Sequence, residues 1–86
     1  MCLIFIALKS HSKYKLVVAA NRDEFYDRKT QGASFWSDYP QILGGRDMEA
    51  MGTWLGMTKA GRICMVTNFR DLKNIRPNAP SRGKLV

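Results

Sequence analysis

The chain opens with the apolar run MCLIFIAL (residues 1–8) and, after a short polar stretch, continues with KLVVAA (residues 15–20). Both runs are rich in aliphatic, β-branched and aromatic side chains, the types that favour β-strands. The polar residues 9–13 between them have the length of a hairpin turn. Neither run alternates between polar and apolar positions, and such continuous apolar strands are typical of sheets covered on both faces. We therefore predict an N-terminal β-hairpin that lies inside a larger structure.

A second hairpin is predicted further along the chain. TWLGMT (residues 53–58) and the run from Arg62 to Phe69 have the composition of strands, and Lys59-Ala60-Gly61 between them is typical of a turn. The stretch from Arg22 to Gly52, which carries the pair Gly44-Gly45, is predicted to be irregular, and so is the polar tail that follows the second hairpin.

Length and composition fit one small globular domain of 86 residues, 45% of them hydrophobic and 24% charged. No segment has the 3.6-residue period of an amphipathic helix, so the helices that would cover the strands are expected beyond Val86. No apolar run approaches the ~20 residues needed to cross a bilayer. The N-terminus also lacks the basic stretch and cleavage site of a secretory signal. These features predict a cytoplasmic protein without a membrane span.

Charge and metal-binding residues exclude several classes of function. Cys2 and Cys64 lack metal-ligand spacing and His11 is the single histidine, so the chain cannot build a zinc site of the usual kind. We expect no cofactor, and we expect His11 to be a solvated turn residue rather than a haem ligand. The net charge of +7 would attract anions of any kind. Because no recognised nucleic-acid motif accompanies it, nucleic acid is not an expected partner.

Cys2 is the first candidate catalytic residue because it directly follows Met1. Aminopeptidases commonly remove a methionine that precedes a small residue, and this would give Cys2 a free α-amine. An α-amine, with an ordinary pKa of about 7.7–8.0, can act as the base for the thiol of the same residue. The alternative is that Cys2 is simply the buried first residue of a strand, as free cysteines often are.

The tetrad Asn21-Arg22-Asp23-Glu24 ends the second apolar run with four polar residues. If the first two strands pair as a hairpin, Cys2 lies across the ladder from Asn21 to Asp23. Asp23 would then accept a hydrogen bond from the α-amine and orient it. Arg22 would favour the thiolate or hold a substrate carboxylate. The alternative is a polar turn with a local Arg–Asp ion pair.

Asn68 stands at the end of the apolar run that begins at Arg62. Val66 and Cys64 lie two and four residues before it and would share its face of a strand. A side-chain amide aimed at a nucleophile can serve as an oxyanion donor. The alternative is an asparagine that caps a turn. Cys64 itself is predicted to lie in the core.

Five segments, taken in order, resemble the signature segments of the NRDE family, also called the transport and Golgi organisation protein 2 family. They are MCLI (1–4), ANRDEF (20–25), GTWLG (52–56), TNFR (67–70) and PSRG (80–83). The tetrad at 21–24 gives the family its name, and the matches span the whole chain in register. Family members are much longer, which agrees with covering helices beyond Val86.

The NRDE family is similar in turn to the N-terminal-nucleophile hydrolases, most closely to their choloylglycine-hydrolase and acyltransferase branch. The resemblance implies an α+β fold, an αββα sandwich like that of the N-terminal-nucleophile hydrolases, of which this chain supplies mainly the first β-strands and hairpins. Residues 1–86 would be the N-terminal part of a single domain whose remainder is absent.

Carried over residue by residue, the resemblance makes Cys2 the nucleophile, Asp23 the partner of its amine and Asn68 an oxyanion donor. Asn21 would support the turn. That branch usually has an arginine directly before its Asn-x-Asp turn, whereas this chain has Ala20 there. The side chains expected to bind substrate are Arg22, Trp54 and Arg70.

The resemblance implies hydrolysis of an amide C–N bond other than a peptide bond, or acyl transfer from it, through a thioester on Cys2. The alternative is a non-catalytic intracellular trafficking or binding protein on the same fold. Such a protein would act in Golgi organisation and secretion, or would handle lipids, acyl-CoA or haem. The partner would be a small amide or acyl substrate in the first case and a haem or lipid ligand in the second. Both are compatible with a homo-oligomer.

Overall fold

The computed structural model describes residues 1–68, 73, 76 and 78–86, and its regular structure is almost entirely β-strand. Its elements are β1 Leu3–Leu8, β2 Leu16–Asn21, β3 Thr30–Phe35, β4 Ile42–Asp47, β5 Leu55–Thr58, β6 Ile63–Met65 and a 3-10 helix at Arg82–Lys84. β1 and β2 form a two-stranded sheet, and β3 to β6 form a four-stranded sheet in chain order. All pairings are antiparallel. No helix within the described ranges has the length and apolar character needed to cross a membrane.

The predicted N-terminal hairpin is confirmed. β1 and β2 pair without a shift from Leu3 opposite Asn21 to Leu8 opposite Leu16. The backbone N–H of Lys9 donates to the carbonyl of Lys15 at 2.7 Å and closes the turn. The expected cover on both faces is not found in this part of the chain, because Phe5, opposite Ala19, remains 69% exposed.

β3 and β4 correct the prediction of irregular structure from Arg22 to Gly52. Their glycines and charged residues have low strand propensity, yet the ladder between them supplies the pairing that propensity does not predict. The register shifts between Gln31 and Ser34, so that two residues of β3 face Gly45 alone. This β-bulge bends β3 opposite Gly45.

The second predicted hairpin is confirmed as β5 and β6, although both strands are shorter than predicted. The turn between them closes with a hydrogen bond from the Thr58 N–H to the Arg62 carbonyl (2.9 Å), and Gly61 in this turn has φ +91°. β5 begins only at Leu55 because the backbone at Thr53 turns away and donates to the carbonyl of Gly83 (3.1 Å).

The buried centre of the four-stranded sheet is one aromatic residue with an ion pair. Trp36 is the single buried hydrophobic residue in the described part of the chain, and its Nε1–H donates to the Gly44 carbonyl at 3.1 Å. The guanidinium of Arg46 lies 4.1 Å from the ring centroid of Trp36 and donates two hydrogen bonds to Asp38. Cys64, predicted to be in the core, is instead exposed. Its cross-strand partner Gly56 has no side chain to cover it.

A second ion pair joins β4 to the segment before β3. Arg28 donates from Nε and Nη2 to the carboxylate of Asp47, with a shortest distance of 2.6 Å. Partial burial opposes ionisation of Asp47, but hydrogen bonds from Arg28 and from the Glu49 amide outweigh it, so the pKa of Asp47 lies below its ordinary value. The same contact raises the pKa of Arg28.

Candidate active site

Cys2 lies directly before β1, and its thiol meets the polar segment that follows β2. The backbone N–H of Asp23 donates to Cys2 Sγ at 3.3 Å. The carboxylate of Asp23 accepts from the N-terminal ammonium of Met1. Asp23 therefore contacts the first residue through its side chain and the second through its backbone.

Asn21 holds the same end of β1 with both ends of its side-chain amide. Its Oδ1 accepts from the Leu3 N–H at 2.9 Å, and its Nδ2 donates to the Met1 carbonyl at 3.0 Å. These bonds flank Cys2 on either side along the backbone. Asn21 therefore fixes the position from which the thiol points toward Asp23.

Arg22 is held from three directions. Its Nη1 donates to Thr30 Oγ1 at 3.0 Å, and its Nη2 lies 3.9 Å from Glu24 Oε2. Its guanidinium carbon lies 4.4 Å from the centroid of the Trp54 indole, within the range of a cation–π contact. The side chain is 19% exposed. Arg22 thus joins the end of the N-terminal hairpin to the four-stranded sheet.

The indole of Trp54 packs against the backbone at Gly45, which has no side chain. A Cβ built at Gly45 would lie 2.7 Å from Trp54 Cη2 and 2.8 Å from Cζ2, distances at which real atoms collide. Only glycine at position 45 lets the ring take this place. The Trp54 indole therefore contacts both the Arg22 guanidinium and the backbone at Gly45.

Two of the segments recognised in the sequence meet through glycine. The carbonyl of Gly83 accepts from the Thr53 N–H at 3.1 Å. A Cβ at Gly52 would lie 2.6 Å from the carbonyl carbon of Gly83. The Val66 N–H donates to the Trp54 carbonyl at 2.9 Å and extends the ladder of β5 and β6 by one pair. Residues 52–54 are therefore the place where the segments at 20–25 and 80–83 are joined.

Asn68 is exposed and follows β6, which ends at Met65. Within residues 1–68 no hydrogen bond joins Asn68 to Cys2. Arg70, expected to bind substrate, lies outside the described residues.

A groove of about 630 Å³ lies elsewhere on the four-stranded sheet. Trp36 and Cys64 line it together with the cationic side chains of Arg62 and Lys84. Its carboxylate, Asp38, is paired with Arg46. The groove therefore offers apolar and cationic surface, while the thiol that lies near the terminal amine is that of Cys2.

Comparison with known families decides the relationship. The family model described as Transport and Golgi organisation 2 matches residues 1–86, the whole of the chain. The chain belongs to this family. The resemblance to the NRDE family, which is the same family, is thereby confirmed.

The chain is similar to curated family members from mammals. It is 43% identical over 93 aligned residues to the Transport and Golgi organization 2 homolog of Mus musculus. It is 41% identical to the Transport and Golgi organization protein 2 homologs of Bos taurus and Homo sapiens. Each alignment covers 100% of this chain and 33% of the relative, so the chain spans about a third of their length. No solved structure matches the chain.

The sequence alone did not indicate Gly45, Thr30 or Gly83 as parts of this region. Glycines at 45 and 83 are ordinary turn formers in sequence, and the contacts that require them come from segments far along the chain. The one available signal is that Gly52 and Gly83 lie inside the recognised segments 52–56 and 80–83.

Proposed function

We propose that this chain carries the nucleophile of an N-terminal cysteine amidohydrolase or acyltransferase that acts on amide C–N bonds through Cys2. The observation that supports it is that Asp23 contacts both the thiol of Cys2 and the terminal ammonium. Its backbone N–H contacts Cys2 Sγ, and its carboxylate contacts the terminal ammonium. A thiol nucleophile needs a nearby base, and the base needs a group that orients it. Asp23 can orient a terminal amine close to the thiol.

Removal of Met1 is part of the proposal. In the structure the ammonium at Asp23 belongs to Met1, and Cys2 has no free amine. Loss of Met1 would transfer the terminal amine to Cys2, whose thiol already lies against Asp23. The Asp23 side chain is 41% exposed and has room to follow the amine by one residue.

The chemistry then proceeds in two balanced halves. The Cys2 amine takes the thiol proton while the sulfur attacks the carbonyl carbon of the amide, and the π electrons move to oxygen. The C–N bond breaks as the α-ammonium gives its proton to the leaving amine, and a thioester remains on Cys2. Water or an acceptor amine then attacks the thioester carbonyl and gives a proton to the Cys2 amine. The C–S bond breaks, the acyl group leaves as an acid or a new amide, and the α-ammonium returns its proton to the Cys2 sulfur. We propose Asn68 as an oxyanion donor on the strength of the family resemblance.

We further propose that residues 1–86 are the N-terminal part of a single αββα domain. The exposed apolar residues of β1 and the open four-stranded sheet support this proposal, since such surfaces are normally covered. The mammalian relatives are about three times as long and can supply covering helices.

Intact-mass spectrometry with limiting iodoacetamide at neutral pH tests the function. Cys64 is exposed and Cys2 is half-buried, so accessibility alone would label Cys64 first. We expect loss of Met1 and labelling of Cys2 well before Cys64, because the amine activates only the terminal thiol. Retained Met1, or labelling of Cys64 first, would contradict the mechanism.

The control is Asp23→Asn, which keeps the backbone N–H but removes the carboxylate that orients the amine. We expect Cys2 labelling in this variant to fall toward the rate of Cys64. Cys64→Ser should leave the Cys2 rate unchanged, because Cys64 lies on another sheet.

A second candidate is a non-catalytic binding or trafficking protein. The relatives are named for transport and Golgi organisation, and the 630 Å³ groove offers apolar surface with Arg62 and Lys84. A ligand with an acidic head and an apolar body, such as an acyl-CoA, lipid or haem, would suit these groups. Titration of haem or palmitoyl-CoA against the fluorescence of Trp36 tests it, with Arg62→Ala expected to weaken binding. Saturable binding together with an unreactive Cys2 would favour this candidate.

A further inference from the structure

The N-terminal hairpin and the four-stranded sheet share no strand pairing in the described part of the chain. Arg22 joins them near Cys2: its guanidinium lies over the Trp54 indole, which packs against Gly45, and its Nη1 donates to Thr30 of β3. We infer that Gly45 and Trp54 are positioning residues for Cys2, which act through Arg22 and Asp23. The inference rests on the proposed function for its catalytic meaning.

Each step of this chain of contacts is short. Gly45 lies opposite the β-bulge of β3, where two residues of β3 face one of β4. Its missing Cβ leaves the space that the Trp54 indole fills. The Arg22 guanidinium lies over the same ring, 4.4 Å from its centroid. Arg22 is the first residue after β2, so no ladder pairing holds it, and its contacts with Trp54 and with Thr30 of β3 take that part.

Asp23 follows Arg22 directly and transmits its position to the nucleophile. Its backbone N–H contacts Cys2 Sγ at 3.3 Å. A displaced Arg22 therefore moves the one backbone donor that meets the thiol. Orientation errors of about 1 Å are enough to reduce catalysis strongly. Trp54 and Arg22, expected from the sequence to bind substrate, are placed here in supporting roles.

The variant Gly45→Ala tests the inference, and the chain offers a matched control. The new methyl would collide with the indole at 2.7 Å. Gly32→Ala makes the same change in the facing strand, where a Cβ meets nothing within 4 Å. We expect Gly45→Ala to shift the indole N–H NMR signal of Trp54 more than Gly32→Ala does. Hydrogen exchange at the Asp23 amide should become about two- to fivefold faster, the range for losing a cation–π contact of this exposure.

Substitutions of the ring separate positioning from general stability. Trp54→Phe keeps an aromatic face for Arg22 and should retain most of the protection at Asp23, whereas Trp54→Leu should lose it. In the Trp54→Leu background the ring is gone, so adding Gly45→Ala should change the Asp23 amide little further. Exchange in β4 near the Trp36 site, compared among the variants, shows whether the sheet stays folded.

The outcomes distinguish the inference from the proposed function. If Cys2 is unreactive but Gly45→Ala still speeds exchange at the Asp23 amide, the proposed hydrolase function fails and the positioning contact stands. A reactive Cys2 whose alkylation rate and pH profile are the same in Gly45→Ala and Gly32→Ala would overturn the inference. An equal effect of Gly45→Ala with and without Trp54 would overturn it as well.

Discussion

Asn21 shows how one side chain can fix the position of Cys2 without touching its thiol. Its amide donates to the Met1 carbonyl and accepts from the Leu3 N–H, so the residue between them is held on both sides. A side-chain amide supplies a donor and an acceptor on separate atoms. The family resemblance assigns Asn21 to the support of its own turn, whereas its described bonds reach across the hairpin.

Two substitutions at position 21 should separate these bonds. Asn21→Ala removes both, and we expect hydrogen exchange at the Leu3 amide to become about fivefold faster, as the loss of ~1 kcal/mol implies. Asn21→Asp keeps the acceptor for Leu3 but loses the donor to Met1, so protection of Leu3 should largely remain. Asn78→Ala, at an exposed position, is the control. Equal exchange in Asn21→Ala and Asn78→Ala would contradict the role given to Asn21.

At the scale of elements, the sequence predicts the hairpins whose strands are apolar and misses the strands that are not. β1 and β2 are predicted because their side chains have strand propensity and a polar turn separates them. β3 and β4 read TQGASF and ILGGRD, in which glycines and charges break any period of two. Their stability comes from cross-strand pairing and from ion pairs to distant residues. Such long-range contacts cannot be read from local composition.

The candidate site is predictable to the same extent. Cys2, Asn21 and Asp23 come together because a hairpin of known register brings its ends together. The contact of Trp54 with Gly45 is not predicted in this way, because a contact between residues of different segments produces no periodic pattern in the sequence. The exposure of Cys64 follows from its pairing with Gly56, a cross-strand contact that the sequence of β6 alone does not show.

The ion pair of Arg28 with Asp47 ties β4 to the chain before β3 and should appear in the pH dependence of stability. The pKa of Asp47 is lowered in the folded state, so its contribution is present above the unfolded value of about 3.9 and is lost as the pH falls through the folded value. We expect Asp47→Asn to lower the free energy of unfolding at neutral pH by about 1–3 kcal/mol. Below pH 4 the difference from the parent protein should shrink.

Urea unfolding followed by tryptophan fluorescence at several pH values measures this effect. Asp27→Asn is the control, since it removes an exposed carboxylate from the same part of the chain. Asp38, whose pKa is lowered chiefly by its hydrogen bond with Arg46, should leave a residual acid dependence in both variants. A constant difference between Asp47→Asn and the parent protein from pH 3 to pH 7 would contradict the assignment.

The whole molecule is less compact than its length allows. Its radius of gyration is 14.3 Å, whereas a compact chain of this length has about 12 Å. Large apolar residues on the sheets remain open, among them Phe5, 69% exposed, and Phe35, 53% exposed. Contiguous apolar surface of this kind is normally covered by further chain or by a partner.

Exposed sheet faces should make the 86-residue chain associate with itself. We expect sedimentation velocity to show an increase in mean mass with concentration. Phe5→Ser should weaken the association about tenfold or more, because it removes a side chain whose burial contributes about 1.5–3 kcal/mol. Tyr26→Ser is the control, since Tyr26 is fully exposed and lies outside the sheets. A monomer with a sharp cooperative melt at all concentrations would contradict this view.

The contact between Gly52 and Gly83 has a genetic consequence. Each residue lies where a Cβ would be less than 3 Å from the backbone of the other segment. Every missense change that a single base can make in a glycine codon introduces a Cβ, so neither position has a mild allele. Arg82, directly before Gly83, is exposed. A deep mutational scan should therefore show two intolerant sites, distant in sequence, and should accept more substitutions at position 82 than at either glycine.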